Sequence, residues 1–271
     1  MAGSRVVAPG HVQFGDDLLL GPHTAYGWRT LTGWEDSPGL DSGTVARSGA
    51  HGAYLGRLLA QPRTITLDNI VIRTEPRRMG AAVRALRAAT ALRDDEEALV
   101  MQLDDEPPLL AFARCIRRSI PVTAGGYALG IVTGAALQFE ASDPRRYSLI
   151  EQQATTVIGG SLRAVNDGDA PAHPVITIRG PLSLPSLTDT LTKQVLEYDV
   201  DLGPADTLLI DTAASTATVN GESCLGTATA RSTLEELYAL PPGASTLSLR
   251  AAPGSVDPRA QLAIRWRSAY W

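Results

Sequence analysis

Pro174-Val175-Ile176-Thr177-Ile178-Arg179-Gly180-Pro181 alternates apolar with polar side chains and ends in glycine and proline. The period of two reads as a β-strand with one buried and one wet face, and Gly-Pro closes it. The same signature returns at Asp206-Thr207-Leu208-Leu209-Ile210-Asp211 and at Ala217-Thr218-Val219-Asn220-Gly221. Leu240-Pro241-Pro242-Gly243 then opens a hairpin that leads through Ala244–Leu249 into a last strand, Gln261 to Trp271. In that strand Leu262, Ile264 and Trp266 alternate with Ala263, Arg265 and Arg267. Asn166-Asp167-Gly168-Asp169-Ala170-Pro171 is a strong turn signal. Ser232 and Glu235 stand at capping-box spacing and predict a short helix over 233–237. Short strands separated by such turns predict a two-sheet sandwich from Ser148 to Trp271.

Upstream, residues 11 to 75 also read as strands between glycine-rich turns. Val12-Gln13-Phe14 and Leu18-Leu19-Leu20 flank Gly15-Asp16-Asp17 as a hairpin, and Tyr26 to Trp34 is a candidate strand. Thr64 to Ile72 is a strand because β-branched residues dominate it. One helix is expected over about 76–93, with Met79, Ala82, Val83, Leu86, Ala89 and Leu92 forming an apolar stripe. Pro76 suits its first turn and Thr74 its cap, while Arg77, Arg78, Arg84, Arg87 and Arg93 form a solvated cationic side. Ala98–Leu103, Leu109–Ile116 and Ile131–Glu140 read as further strands, and Ser142 to Tyr147 breaks the pattern. The expected organisation is therefore mainly β. A first domain over 1–147 carries the one helix, and a sandwich domain spans 148–271.

Composition narrows the function. The chain has 271 residues, 44% hydrophobic, with a net charge of −5, so it can bury a core and lacks the basic balance of a nucleic-acid binder. Lys193 is the single lysine, a bias that reads as the codon usage of a GC-rich genome rather than as a phosphate-binding signature. Two widely separated cysteines, Cys115 and Cys224, read as reduced, buried thiols of a protein made in a cytoplasm. Met1 to Gly10 has no signal-peptide shape, and no apolar run approaches membrane length.

The candidate chemistry is thin. His11, His23, His51 and His173 stand at no metal-ligand spacing. Asn166-Asp167-Gly168-Asp169 lacks the later glutamate of a calcium loop. Gly125-Gly126 with Gly130 echoes a nucleotide loop, but no strand feeds it and no helix is expected after it. Asp104-Asp105-Glu106 reads as an acidic turn before Pro107-Pro108 rather than a glycosidase pair. Trp34 and Trp266 read as core residues rather than sugar platforms. No catalytic residue, metal or cofactor is assigned.

The segment from Glu35 to Pro62 stands apart. It is rich in Gly, Ser, Pro and Ala, with Gly39, Gly43, Gly49, Gly52 and Gly56 spaced through it. It is too long for an ordinary connection, so it is either disordered or ordered by something outside its own domain. An inter-subunit arm is expected, with Leu40, Val45, Arg47, His51, Tyr54 and Leu55 as its contact residues.

Several phrases, in order, carry a resemblance. They are Leu31-Thr32-Gly33-Trp34-Glu35-Asp36-Ser37-Pro38, the arm with His51-Gly52, Arg63-Thr64-Ile65-Thr66-Leu67 and Phe139 to Tyr147. Asn166-Asp167-Gly168, Pro174 to Pro181, Leu209-Ile210-Asp211, Val219-Asn220-Gly221, Leu240 to Gly243 and Ile264 to Trp271 follow. Across nearly the whole chain this series resembles the distal tail proteins of siphophages, the Dit family. The resemblance implies a ring-forming β-rich first domain and a galectin-like or carbohydrate-module-like sandwich. It further implies a homo-hexamer at the distal end of the virion tail, made in the host bacterial cytoplasm and without enzymatic activity. Implied partners are the tail tube, the hub or tail-lysin protein, the tape measure and receptor-binding proteins, with DNA only in transit through the lumen. The alternative expectation is a carbohydrate-binding module for bacterial surface polysaccharide, although no strand carries a His/Arg/Trp cluster.

Overall fold

A computed structural model describes residues Met1–Trp271. The chain divides into two compact units, Met1–Leu149 with Trp271, and Ile150–Tyr270.

The first unit contains, in chain order, β1 (His11–Phe14), β2 (Leu18–Leu20), β3 (Tyr26–Gly27), β4 (Thr30–Thr32), β5 (Leu40–Ser42), β6 (Val45–Ala46), β7 (Ala53–Tyr54), β8 (Leu58–Ala60), β9 (Arg63–Arg73), α1 (Met79–Ala89), β10 (Glu97–Gln102), β11 (Leu109–Ser119), α2 (Ala124–Leu129), β12 (Ile131–Ala141) and β13 (Arg146–Ser148). Its main sheet runs β2-β1-β10-β11-β12-β9-β3, with β4 also on β9 and β13 on β11. Alternation decides which side chains are inside: Ile65, Leu67, Ile70 and Ile72 of β9 are all buried. Leu67 and Ile70 are three apart, so a strict period of two would put one of them outside. A register shift opposite Ala135–Leu137 and a left-handed Asn69 at φ 53° absorb the extra residue and return Ile70 to the core. Met79, Val83 and Leu86 of α1 join that core, as do Phe14 and Phe139, whose tilted rings lie 4.8 Å apart.

Several expectations need correction here. The helix is Met79–Ala89 after a 3-10 turn at Pro76–Arg78, shorter than 76–93. It stops because Thr90 Oγ1 donates to Leu86 O at 2.6 Å and Arg118 Nη1 donates to the carbonyls of Arg87 and Thr90 at 3.0 and 2.8 Å. Leu92, expected on the stripe, is therefore exposed. Thr74 does not cap it: the first turn is entered through Pro76, and no side chain accepts there. A second helix, α2, occupies Gly125-Gly126, where none was expected. Thr123 Oγ1 accepts from Gly126 N at 3.0 Å at its start, and Gly130 closes it at φ 70°. The capping residue offsets part of the intrinsic cost of two glycines. Tyr26–Trp34 is split into β3 and β4, both on β9, and Trp28 between them donates its indole N–H to Gly10 O.

The second unit contains β14 (Gln152–Val157), β15 (Ser161–Asn166), β16 (Val175–Arg179), β17 (Leu182–Ser183), β18 (Ser186–Asp189), β19 (Val195–Glu197), β20 (Asp201–Leu202), β21 (Thr207–Asp211), β22 (Thr216–Val219), β23 (Glu222–Ser223), β24 (Gly243–Arg250) and β25 (Gln261–Trp266), then the short Ala269–Tyr270. A six-stranded sheet runs β14-β25-β16-β21-β22-β23, and a four-stranded one runs β15-β24-β18-β19. Ile176, Ile178, Leu208, Ile210, Leu262 and Ile264 from the first are buried, as are Leu162, Leu187, Leu196, Leu247 and Leu249 from the second.

Three expectations change in this unit. Leu240-Pro241-Pro242-Gly243 does not open a hairpin, because β24 pairs with β15 and β18 while β25 lies between β14 and β16 in the other sheet. Leu240 is instead locked by reciprocal backbone bonds to Ala172 at 2.8 and 2.9 Å. The last strand ends at Trp266, and Ser268 turns its hydroxyl to accept from Asp167 N at 3.0 Å. No capping box forms at Ser232: its hydroxyl accepts from Glu197 N, and Glu235 accepts from Tyr198 Oη at 2.5 Å, leaving only a 3-10 turn at Glu235–Leu237.

Candidate assembly surface

The exposed arm begins and ends at one buried residue. Arg63 opens β9 and is 2% exposed. Its Nη1 donates to the carbonyls of Gly33, Trp34 and Asp36 at 2.8, 3.0 and 2.6 Å, and its Nε donates to Pro144 O at 2.6 Å. Burial, and next the neighbouring Arg146, lower the pKa of its guanidinium, while Glu35 and Asp36 act in the opposite sense. Gly33 sits at φ 81°, and a Cβ there would come within 1.8 Å of Thr64 O, so the turn into the arm requires glycine. Arg146 lies over the ring of buried Trp34 at 5.6 Å and donates to Glu35 Oε1 at 2.6 Å. Three phrases separated in sequence, at 31–38, at 63–67 and at 139–147, thus converge on one root.

Beyond the root, the chain pairs with itself. Leu40 faces Ala60, Asp41 faces Leu59 and Ser42 faces Leu58. Val45 then faces Tyr54 and Ala46 faces Ala53. Between the two ladders Gly43 and Gly56 touch so closely that a Cβ on Gly56 would meet Gly43 backbone at 2.3 Å. The segment read as either disordered or externally ordered is therefore an internally paired β-hairpin. No residue from Glu35 to Pro62 is buried. Leu40, Val45, Tyr54, Leu55, Leu58 and Leu59 are each 53–90% exposed. Isolated exposed apolar residues are ordinary, but here six large ones share one hairpin that has no core of its own.

Of the six arm residues expected from sequence, Leu40, Val45, Tyr54 and Leu55 belong to this exposed set. Arg47 stacks its guanidinium 4.9 Å over Tyr54, and its backbone N–H bonds Gly52 O near the tip. His51 is exposed at the tip. Sequence reasoning missed Leu58 and Leu59, whose signal was plain apolarity in an otherwise polar segment. It also missed Arg63 and Arg146, which carry no local pattern.

Near the root, Asp143, Arg145 and Tyr147 form a second polar cluster. Arg145 donates to Asp143 through Nε at 2.8 Å and Nη2 at 2.7 Å, and Tyr147 Oη donates to the same carboxylate. Burial works to raise the Asp143 pKa, but Arg145 and the two hydroxyl and backbone donors prevail and hold it below the usual carboxylate value. Trp34 and Trp266 are core, Trp266 donating its N–H to Val165 O at 2.8 Å, while Trp271 is exposed. No group of three His, Cys, Asp or Glu side chains is placed to hold a metal ion. Cys115 and Cys224 are both buried free thiols.

No protein-family model matches the chain, and no curated protein matches it. Solved structures do. The Dit protein of phage SPP1, described as a paradigm of the hub adsorption apparatus in phages infecting Gram-positive hosts, superposes with a TM-score of 0.69 at 14% identity, covering 96% of this chain and 99% of that one. A chain of the phage P2 baseplate in its activated conformation with Ca superposes with a TM-score of 0.50 at 10% identity, covering 94% and 97%. Over nearly its whole length, the chain carries the fold of the phage Dit proteins.

Proposed function

We propose that the chain is a structural component of a phage tail tip, a Dit-type protein whose first unit assembles into a homo-hexameric ring. The observation that carries the proposal is the arm: a hairpin with six exposed large apolar side chains and no buried residue, fixed to the core through Arg63. Such a surface is stable in water only at a cost in exposed apolar area, and docking on a neighbouring copy removes it. The full-length likeness to a hub adsorption protein supplies the setting. In that setting the ring joins the tail tube to the hub or tail-lysin protein and offers a platform for the tape measure and for receptor-binding proteins, with DNA passing through the lumen. Its location is the distal end of the tail.

Deleting Leu40–Leu55 tests this directly. The expected product is a folded monomer by circular dichroism and light scattering, where the intact chain gives rings by negative stain. Rings formed by the deletion variant would refute the role of the arm.

A carbohydrate module would need an aromatic platform in a recess of the second unit. The recess of about 260 Å³ lined by Gln153, Thr155, Thr177, Arg179, Gln261 and Arg265 and the one of about 560 Å³ lined by Val200, Asp201, Val219, Asn220, Glu222, Ser223 and Cys224 carry no aromatic side chain. Base-like stacking of a sugar ring has no partner in either lining, so the assembly reading is preferred.

A further inference from the structure

The core of the second unit contains three polar groups that no protein atom satisfies. Asp189 Oδ2, Tyr238 Oη and Ser245 Oγ are all buried without a hydrogen-bond partner. The residues are 1%, 0% and 0% exposed. A buried hydroxyl or carboxylate oxygen left unmet costs about 1–3 kcal/mol, so three in one small unit require an explanation.

Backbone pairing sets Asp189 and Ser245 side by side at the turn from β18 to β19, and the Gln194 side chain ties the segment of Tyr238 to the same turn. Asp189 lies opposite Leu247 in the β18–β24 ladder. Ser245 is two residues from Leu247 on the same buried face of β24, diagonal to Asp189 and within the reach such neighbours have. Thr190, next to Asp189, donates its N–H to Thr246 O at 2.9 Å and holds the turn against the strand. On the other side Asp189 N donates to Gln194 O at 3.0 Å, and Gln194 Nε2 donates to Leu237 O at 2.8 Å, which brings the residue before Tyr238 onto the same turn. Burial, and then the Asp189 charge, push the Tyr238 hydroxyl pKa upward, as expected for a phenol close to a carboxylate. Asp189 Oδ1 is already committed to Leu191 N at 2.8 Å, so Oδ2 is the atom left over.

We infer that Asp189, Tyr238 and Ser245 form a binding site for a single internal water that closes the β18–β19 turn onto β24. The donor and acceptor count selects the ligand. The two hydroxyls need an acceptor, and the carboxylate oxygen needs a donor. One water accepts from Tyr238 and Ser245 and donates to Asp189, with its second proton free for a backbone carbonyl of the turn. A metal cation would meet the carboxylate but would leave both hydroxyl protons without an acceptor.

A crystal structure of the full chain, at a resolution that shows ordered water, tests the site. The expected result is a solvent-inaccessible density peak about 2.5–3.0 Å from all three oxygens. Tyr238 Oη bonded directly to Asp189 Oδ2, with no peak between them, would overturn the inference. A thermodynamic cycle gives an independent reading. Tyr238→Phe and Ser245→Ala are near-isosteric and keep the fold, and each is expected to raise the unfolding constant roughly tenfold. Because both act through one water, the double variant should raise it by clearly less than the product of the two. A strictly multiplicative double variant, or single variants indistinguishable from the parent, would exclude a shared water. Neither measurement depends on the ring.

Discussion

At the scale of single residues, one buried amide has every hydrogen-bonding position in use. Asn166 is 1% exposed. Its Nδ2 donates to Ala170 O and Leu240 O, and its Oδ1 accepts from Gly168 N and Ala269 N, so one amide joins the turn, the Leu240 segment and the chain after β25. Asn166→Ala should destabilise the second unit by about 3 kcal/mol in urea titration, since four groups lose their partner. A loss under about 0.5 kcal/mol would show that the turn holds without it. Asp143 makes a pH prediction. Its folded pKa is depressed below the ordinary value of 3.8. A depressed carboxylate contributes stability that is present above its unfolded pKa and is lost as pH falls through the folded one. Asp143→Asn should therefore lower Tm at pH 7, and the difference from the parent should shrink as pH drops below the usual carboxylate range. A gap that stays constant down to strong acid would contradict the assignment.

At the scale of elements, the arm separates folding from assembly. Its apolar side chains contribute to no core, so Tyr54→Ser, Leu55→Ser and Leu58→Ser together should leave the melting of the chain within about 0.5 kcal/mol of the parent. The same triple variant should lose ring formation by light scattering. If it unfolds instead, these residues are structural within the subunit. The root behaves in the opposite way. Arg63→Ala strips four carbonyls of their donor and should cost at least about 3 kcal/mol. Arg63→Lys should recover little, because an ammonium cannot span carbonyls at both Nη1 and Nε. α2 is a poor helix supported by one side chain at its start: Thr123→Ala should cost about 1 kcal/mol and fray a segment with Gly125 and Gly126 in its first turn.

At the scale of the whole molecule, the second unit carries a full set of paired strands between Gln152 and Trp266. A fragment from Ser148 onward is expected to fold alone. Trp266→Ala within it should cost about 3–5 kcal/mol, much of a small domain's margin. An unfolded fragment alongside a folded full chain would disprove independent folding. If the chain is a hexamer, its charge of −5 gives the ring −30. A basic channel would grip DNA by counterion release, whereas an acidic one lets it slide. The exposed Arg77, Arg78, Arg84 and Arg87 of the α1 region are therefore expected to face away from the lumen or to pair with acids, as Arg78 does with Glu75 at 3.3 Å. A belt of unpaired arginines around the channel in a structure of the ring would contradict this.

The sequence by itself determined what depends on neighbours a few residues away. Period-two alternation picks the buried faces of β16 and β25. The Asn-Asp-Gly turn follows from its side-chain chemistry, and the stripe of α1 as far as Ala89 from its three- and four-residue spacing. Tertiary structure alone decided the choice of distant partners. An alternating strand pairs equally well on either side until the sheet is assembled, so β24 and β25 read as a hairpin although they belong to different sheets. α1 stops at Ala89 because Arg118, nearly thirty residues away, takes its last carbonyls. Arg63 lies just before the strand read from sequence and is the anchor of the arm, because buried carbonyls from residues 33 to 36 and 144 share no local pattern yet must find a donor. Local periodicity sets which face is apolar, and only long-range packing sets what that face meets.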